Sequence, residues 1–183
     1  MDNINTKSFP KAPANTIFSL IRLLLVVALL LAFDQLVKGW ATKNLKSQEP
    51  ISIINGVFEL TYLENQGSAW GLLKGKILFL ILITIFVSAL LFYFYNKIPP
   101  AKRFFPLRIC FCLILSGAFG NLIDRLIYHH VIDMFYFKLI NFPVFNVADI
   151  YITVGDAIFL ILFLFVYKEE ELSFWSFSKK SLN

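Results

Sequence analysis

The chain has 183 residues, of which 58% are hydrophobic and only 16% charged, with 21 phenylalanines and a mean hydropathy of +0.70. Soluble domains use about 45–50% apolar and about 25% charged residues, so the excess is surface that faces lipid, and a soluble globular protein is excluded. The net charge of +5 is of the kind that cytoplasmic loops give basic membrane proteins. No basic stripe with interleaved aromatics accompanies it, which sets a nucleic-acid partner aside.

The composition and the hydropathy pattern predict an all-α membrane protein. It reads as a single integral membrane domain, 1–183, with four transmembrane helices at about 17–36, 77–95, 107–126 and 149–167. Each segment is near the ~20 residues that a bilayer-crossing helix requires. The first is longer than the apolar region of a cleaved leader, and Leu31-Ala32-Phe33-Asp34 is not a small-x-small cleavage site, so it reads as an uncleaved anchor. Asp34 and Lys38 close it; four residues apart, they share a helix face and can pair. They are either a plain ion pair at a helix end or a brace behind a functional site.

An outer loop, about 40–76, follows. Ile51-Ser52-Ile53-Ile54, then Asn55-Gly56, then Val57 to Glu64 reads as strand, tight turn, strand. Asn-Gly suits a type I′ turn, whose two central residues both need positive φ. The result is a small extracytoplasmic sheet lying on the outer leaflet, with Ser68 to Leu73 as a short helical turn that puts Trp70 at the interface.

The second span, from Ile77 to Tyr95, carries no charge. The third contains Cys110 and Cys112, which point about 200° apart on a helix and so neither bridge nor share a metal. It ends in Asn121, Asp124 and Arg125 on one face, after Gly117 and Gly120, which permit close helix approach. A second outer loop, about 128–147, is rich in aromatics and reads as lying in the membrane interface. His129 and His130 there lack the spacing of a helical zinc motif, and Ser68 and Ser116 have no histidine partner. The fourth span begins at Asp149, a first-turn acid favoured by the helix dipole, behind Asn146 as a candidate N-cap. Asp156 lies one heptad deeper. It reads as an interhelical hydrogen-bond donor or as a mark of a proton path, the structural reading being favoured.

Asp133 in the second outer loop and Asp149 stand out. An ionisable group at the edge of a long apolar run is a functional candidate by default. Two carboxylates on facing elements suggest a dyad that shares a proton and activates a water. The competing reading, a small proton-coupled transporter or channel subunit using intramembrane aspartates, lacks a repeated half. A non-catalytic assembly protein would not need paired aspartates. Four spans put both termini on one side. With the termini inside, ten Lys and Arg (7, 11, 22, 97, 102, 103, 108, 168, 179, 180) face seven outside (38, 43, 46, 74, 76, 125, 138), which favours cytoplasmic termini.

Taken together, five stretches resemble lipoprotein signal peptidase (signal peptidase II): Asp34-Gln35-Leu36-Val37-Lys38; Asn65-Gln66-Gly67-Ser68-Ala69-Trp70-Gly71; Gly117 to Arg125; Val131-Ile132-Asp133; and Phe145-Asn146-Val147-Ala148-Asp149. They occur in the family's order between about Phe33 and Gly155. The resemblance implies four transmembrane helices with a small extracytoplasmic β-cradle, in the bacterial cytoplasmic (inner) membrane with the site near the outer face. It also implies an aspartic endopeptidase that removes the signal peptide of prolipoproteins, cutting just before a diacylglyceryl-modified cysteine. The family's catalytic pair falls on Asp133 and Asp149. Its supporting polar residues fall on Asp34, Lys38, Asn65, Asn121, Asp124, Arg125 and Asn146, with Asn65 and Gly67 expected to bind substrate backbone. Membrane lipids, prolipoproteins and globomycin-type inhibitors are the partners it implies, and neither metal nor organic cofactor is needed. Ser116, His129 and Met134 depart from the family's usual glycine, glycine and phenylalanine, and His129 is the departure that bears on backbone conformation.

Overall fold

The computed structural model describes residues 16–67, 73 and 75–175. Its elements run α1 (Thr16–Leu45), β1 (Ile51–Ile54), β2 (Phe58–Asn65), α2 (Ile77–Lys97), α3 (Phe105–Tyr128), β3 (Val131–Phe137) and α4 (Val147–Ile161). Among the described residues four helices are long and apolar enough to cross a membrane. They are studded with exposed apolar side chains such as Leu29 (71%), Leu36 (73%) and Leu78 (70%). A stripe of that kind is unstable in water and natural against lipid.

Helix α3 is the centre of the bundle. In its most apolar stretch 56% of the residues are buried, against 11–17% in the other three helices. The small residues of Gly117 to Gly120 are the reason α4 and α1 approach so closely. A Cβ on Gly117 would collide with the Ala148 carbonyl of α4, and one on Gly120 would lie 2.6 Å from Asp34 Oδ2 of α1. Away from the sheet, a second apolar core joins Leu23, Tyr95, Phe104, Phe111 and Leu115. It is closed by a 3₁₀ segment, Glu169–Trp175, whose Trp175 indole donates to the Phe94 carbonyl at 3.1 Å.

Helix α1 runs past its apolar segment to Leu45, so Asp34 and Lys38 lie in its interior rather than at its end. The extension carries Ala41 and Leu45, which pack against Ile132 and Met134 of β3. The sheet has the order β1-β2-β3, antiparallel throughout. The expected hairpin is present, but its turn is not type I′. Val57 N–H bonds to the Ile54 carbonyl at 2.9 Å, and of the two central residues only Gly56 has positive φ (70°). Phe58 pairs with Ile54 next to an irregularity in β1; the longer loop removes the demand for a left-handed Asn55. The helical turn expected over Ser68–Leu73, with Trp70, falls outside the described residues apart from Leu73.

Strand β3 departs from the expectation of an irregular interfacial loop. Val131 to Met134 are all buried, with Ile132 and Met134 on α1 and Val131 and Asp133 lining a cavity. A strand covered on both faces shows no period-two alternation, which hides it from a hydropathy reading. His129 takes the left-handed conformation (φ 62°, ψ 17°) that ends α3, a position that glycine fills without steric cost.

Close helix approach can be tested by contrast. Gly120→Ala should lower the melting temperature of the detergent-solubilised protein, with a cost of about 1–3 kcal/mol for overpacking. Gly39→Ala, whose new methyl would meet nothing within 4 Å, should raise it, by about 0.5–1 kcal/mol for helix propensity.

Candidate active site

The site is built on one buried ammonium. Lys38 Nζ lies 2.9 Å from Asp34 Oδ2 and 2.9 Å from Asp124 Oδ2, and donates to Asn121 Oδ1 at 3.0 Å. Its three protons thus have three acceptors, the full capacity of the group. Lys38, Asp34 and Asp124 are at most 1% exposed, where an unpaired charge would cost several kcal/mol. The second oxygen of each carboxylate also has a partner. Asp34 Oδ1 accepts from the Ala148 N–H in the first turn of α4 at 2.9 Å. Asp124 Oδ1 accepts from Gln35 Nε2 at 2.9 Å, while its Oδ2 also takes the Ile132 N–H of β3 at 3.2 Å. The cluster therefore joins α1, α3, β3 and α4.

Asp133 and Asp149 are held by the two elements so anchored. Asp133, 1% exposed, accepts from Asn146 Nδ2 (2.6 Å) on one oxygen and from Asn65 Nδ2 (2.9 Å) on the other. Asp149 accepts from Asn121 Nδ2 at 2.8 Å and from the Asn146 N–H at 3.2 Å. Asn146 also takes the Asp149 N–H on its side-chain oxygen at 3.0 Å, completing a capping box at the start of α4. The helix-capping and functional readings of Asp149 thus describe the same geometry: capping fixes one oxygen. Asn146 touches both carboxylates and also Asn121 Oδ1, at 3.2 Å.

Both carboxylates line a cavity of about 670 Å³ whose walls are mostly apolar: Leu63, Val131, Phe142, Phe145, Ile152 and Val154. Burial first, and the Asp149 charge second, push the Asp133 carboxyl up to about 7. One proton held by a pair of carboxyls near neutral pH is the state that general acid–base chemistry on a water needs. Among the described residues no group of three His, Cys, Asp or Glu is placed to hold a metal ion.

The model of the family described as "Signal peptidase (SPase) II" matches residues 26–165 of the chain. The chain belongs to the signal peptidase II family. A relative from Clostridium acetobutylicum named lipoprotein signal peptidase is 44% identical over 146 residues, covering 76% of this chain and 93% of its own length. A relative of the same name from Clostridioides difficile is 40% identical over 142 residues, covering 78% and 94%. Two solved structures, both titled bacterial membrane enzymes, superpose with TM-scores of 0.69 and 0.70 at 30% identity. They cover 78% and 80% of this chain and 87% and 94% of their own. The chain is therefore a multi-pass membrane peptidase.

Within the signal peptidase II frame, Asp34, Lys38, Asn121, Asp124 and Asn146 converge in one network around Asp133 and Asp149. Asn65 and Gly67, expected to bind substrate backbone, both line the cavity. Asn65 holds Asp133, and the Gly67 N–H is committed to Asn65 Oδ1 at 2.9 Å. Arg125 lines the cavity but bonds neither carboxylate, reaching the Gly67 carbonyl at 3.3 Å instead. Gln35, given no role in the sequence reading, bridges Asp34 and Asp124 at 3.2 and 2.9 Å; its position next to Asp34 is the only signal. Asp156 is not an interhelical donor. It is exposed and makes no hydrogen bond or ion pair to a described residue, and it lines a groove between α2, α3 and α4 that adjoins the cavity and shares Asn121, Arg125 and Asp149 with it. Ser116 is spent on the Cys112 carbonyl at 2.6 Å.

The raised Asp133 value fixes the sign of a pH effect. An unfolded aspartate titrates near ~3.9, so between about pH 4 and about 7 the folded chain binds the extra proton. The stability that proton contributes is lost as pH rises through that window. Melting temperatures measured from pH 4.5 to 7.5 should fall for the wild type relative to Asp133→Asn; parallel profiles would contradict the assignment.

Proposed function

We propose that Asp133 and Asp149 form the catalytic dyad of an aspartic endopeptidase. The activity of the chain is removal of the signal peptide from prolipoproteins, supported by family membership and by relatives at about 40% identity over most of the chain. The catalytic type rests on one observation: two carboxylates, Asp133 buried and Asp149 half-buried, share Asn146 and face one cavity. In the resting state one of the two is protonated, because like charges in a dry site cannot both ionise cheaply. The ionised member takes a proton from a water, whose oxygen attacks the scissile carbonyl carbon. The protonated member gives its proton to the carbonyl oxygen. In the collapse of the tetrahedral intermediate a hydroxyl oxygen re-forms the C=O bond and returns its proton to the carboxylate that gave one, while the C–N bond breaks and the amine takes up the proton drawn from the water, so the dyad is again singly protonated. The two titration steps belong to the pair.

The bond cut is the one before the diacylglyceryl-modified cysteine. The lipid chains lie against the apolar cavity wall, and globomycin-type inhibitors occupy the same space. Both termini are cytoplasmic, which sets the dyad and the sheet at the outer face of the bacterial inner membrane, in keeping with the Lys and Arg distribution. The transporter reading has no support from the relatives, and two of its aspartates, Asp34 and Asp124, are locked onto Lys38.

Asp133→Asn and Asp149→Asn should each reduce cleavage of a lipidated prolipoprotein peptide by at least about 10³-fold, with membrane insertion and helix content retained. Near-wild-type turnover in either variant would refute the dyad. A metal chelator should leave wild-type turnover unchanged.

A further inference from the structure

At the end of the bundle away from the carboxylate pair, α1 and α3 diverge around a groove of about 1080 Å³. Three cations line it, Arg22 of α1, Lys102 just before α3, and Arg108 of α3, with no carboxylate among the lining residues. The other walls are apolar, including Leu23, Val26, Leu30 and Phe105. Arg22 is exposed, and neither it nor Lys102 makes a hydrogen bond or ion pair with any described residue. Arg108 is fixed by neutral groups only. It donates to Ser19 Oγ and, at 2.5 Å, to the Ile98 carbonyl, and its guanidinium lies 5.1 Å from the centre of the Tyr95 ring. Its charge is therefore held in place and left uncompensated.

The neighbouring Arg103 shows what this end of the protein does with a cation that has a protein partner: it is paired with Glu171 at 3.0 Å. Arg22 lies inside an apolar span, about 18 Å of helix rise before Asp34, where a charge without a counter-ion is costly. A compact anion with attached hydrocarbon satisfies both halves of this surface. The anion meets the three cations, and the acyl chains cover the leucines and valine below them. A signal peptide is the wrong occupant at this end, because its leading region is positively charged.

We propose that the α1–α3 groove is a binding site for an anionic phospholipid, whose phosphate sits among Arg22, Lys102 and Arg108. With the termini cytoplasmic, the site faces the inner leaflet, where basic pockets between helices hold anionic headgroups. The occupant is a lipid rather than free phosphate, because the groove is mostly apolar and open to the bilayer.

The test is native mass spectrometry of the full chain in mild detergent, titrated with phosphatidylglycerol or with phosphatidylcholine of the same acyl chains. Phosphatidylglycerol should be retained at least about tenfold better. Arg22→Gln/Lys102→Gln, which spares Arg108 and its structural bonds, should weaken that retention about twenty-five-fold, at about fivefold per cation. Arg22→Lys/Lys102→Arg should restore it, and none of these variants should change peptide cleavage in detergent. Equal retention of the two lipids, or loss of neither in the double variant, would overturn the proposal. Displacement of phosphatidylglycerol by inorganic phosphate at equal concentration, or a gain in retention on deleting residues 1–15, would overturn it too, by assigning the groove to a free anion or to the chain's own N-terminal segment.

Discussion

The Lys38 ammonium is the interaction on which the rest of the structure depends. It is a buried cation with three acceptors, and each acceptor has a further partner on α4 or β3. Asp34 passes the constraint to the first turn of α4 through Ala148, and Asp124 passes it to β3 through Ile132. Those are the two elements that carry Asp149 and Asp133. Buried ion pairs add little net stability, since desolvation offsets attraction, but they punish wrong arrangements severely. Here that penalty fixes the register of α4 and β3 against the bundle. Gly120 serves the same end: without its bare Cα, Asp34 could not lie against α3.

Above this node lies a layer of three amides. Asn65, Asn121 and Asn146 donate to the dyad from β2, α3 and the start of α4. Neutral donors orient a carboxylate without the full charge of a cation, so they do not overcome the burial and the Asp149 charge that push Asp133 up to about 7. The charged node sets the scaffold and the neutral layer orients the carboxyls, while burial and the Asp149 charge hold the Asp133 proton. Lys38 is one amide away from Asp149, through Asn121, and two away from Asp133, through Asn121 and Asn146.

Much of this was legible in the sequence because lipid forbids polar side chains without a purpose. Asp34, Lys38, Asn121, Asp124, Asp133 and Asp149 each interrupt or border an apolar run, and the structure gathers all six. The four helices followed from hydropathy and length, and the hairpin from alternation around Asn55-Gly56. What stayed hidden has physical causes. Strand β3 is covered on both faces, so its run from Val131 to Met134 shows no alternation. The turn type depended on a register irregularity that no local residue announces. The two backbone donors, Ala148 and Ile132, have no side-chain signature, and Gln35 looks like any polar residue at a helix surface. Asn65 and Gly67 were assigned to substrate from resemblance; both line the cavity, and residue type did not announce the bonds from Asn65 to Asp133 and from Gly67 to Asn65.

The most direct test of this account is the turnover of Lys38→Met on a lipidated prolipoprotein peptide, with folding followed in the same sample. Removing the ammonium leaves two buried carboxylates unpaired, at a cost of about 3–5 kcal/mol. In the fraction that remains folded it also frees α4 and β3 to shift. The account predicts a kcat at least about a hundredfold lower with KM changed by less than about threefold, since the residue touches no substrate. A folded Lys38→Met protein with wild-type kcat would contradict it.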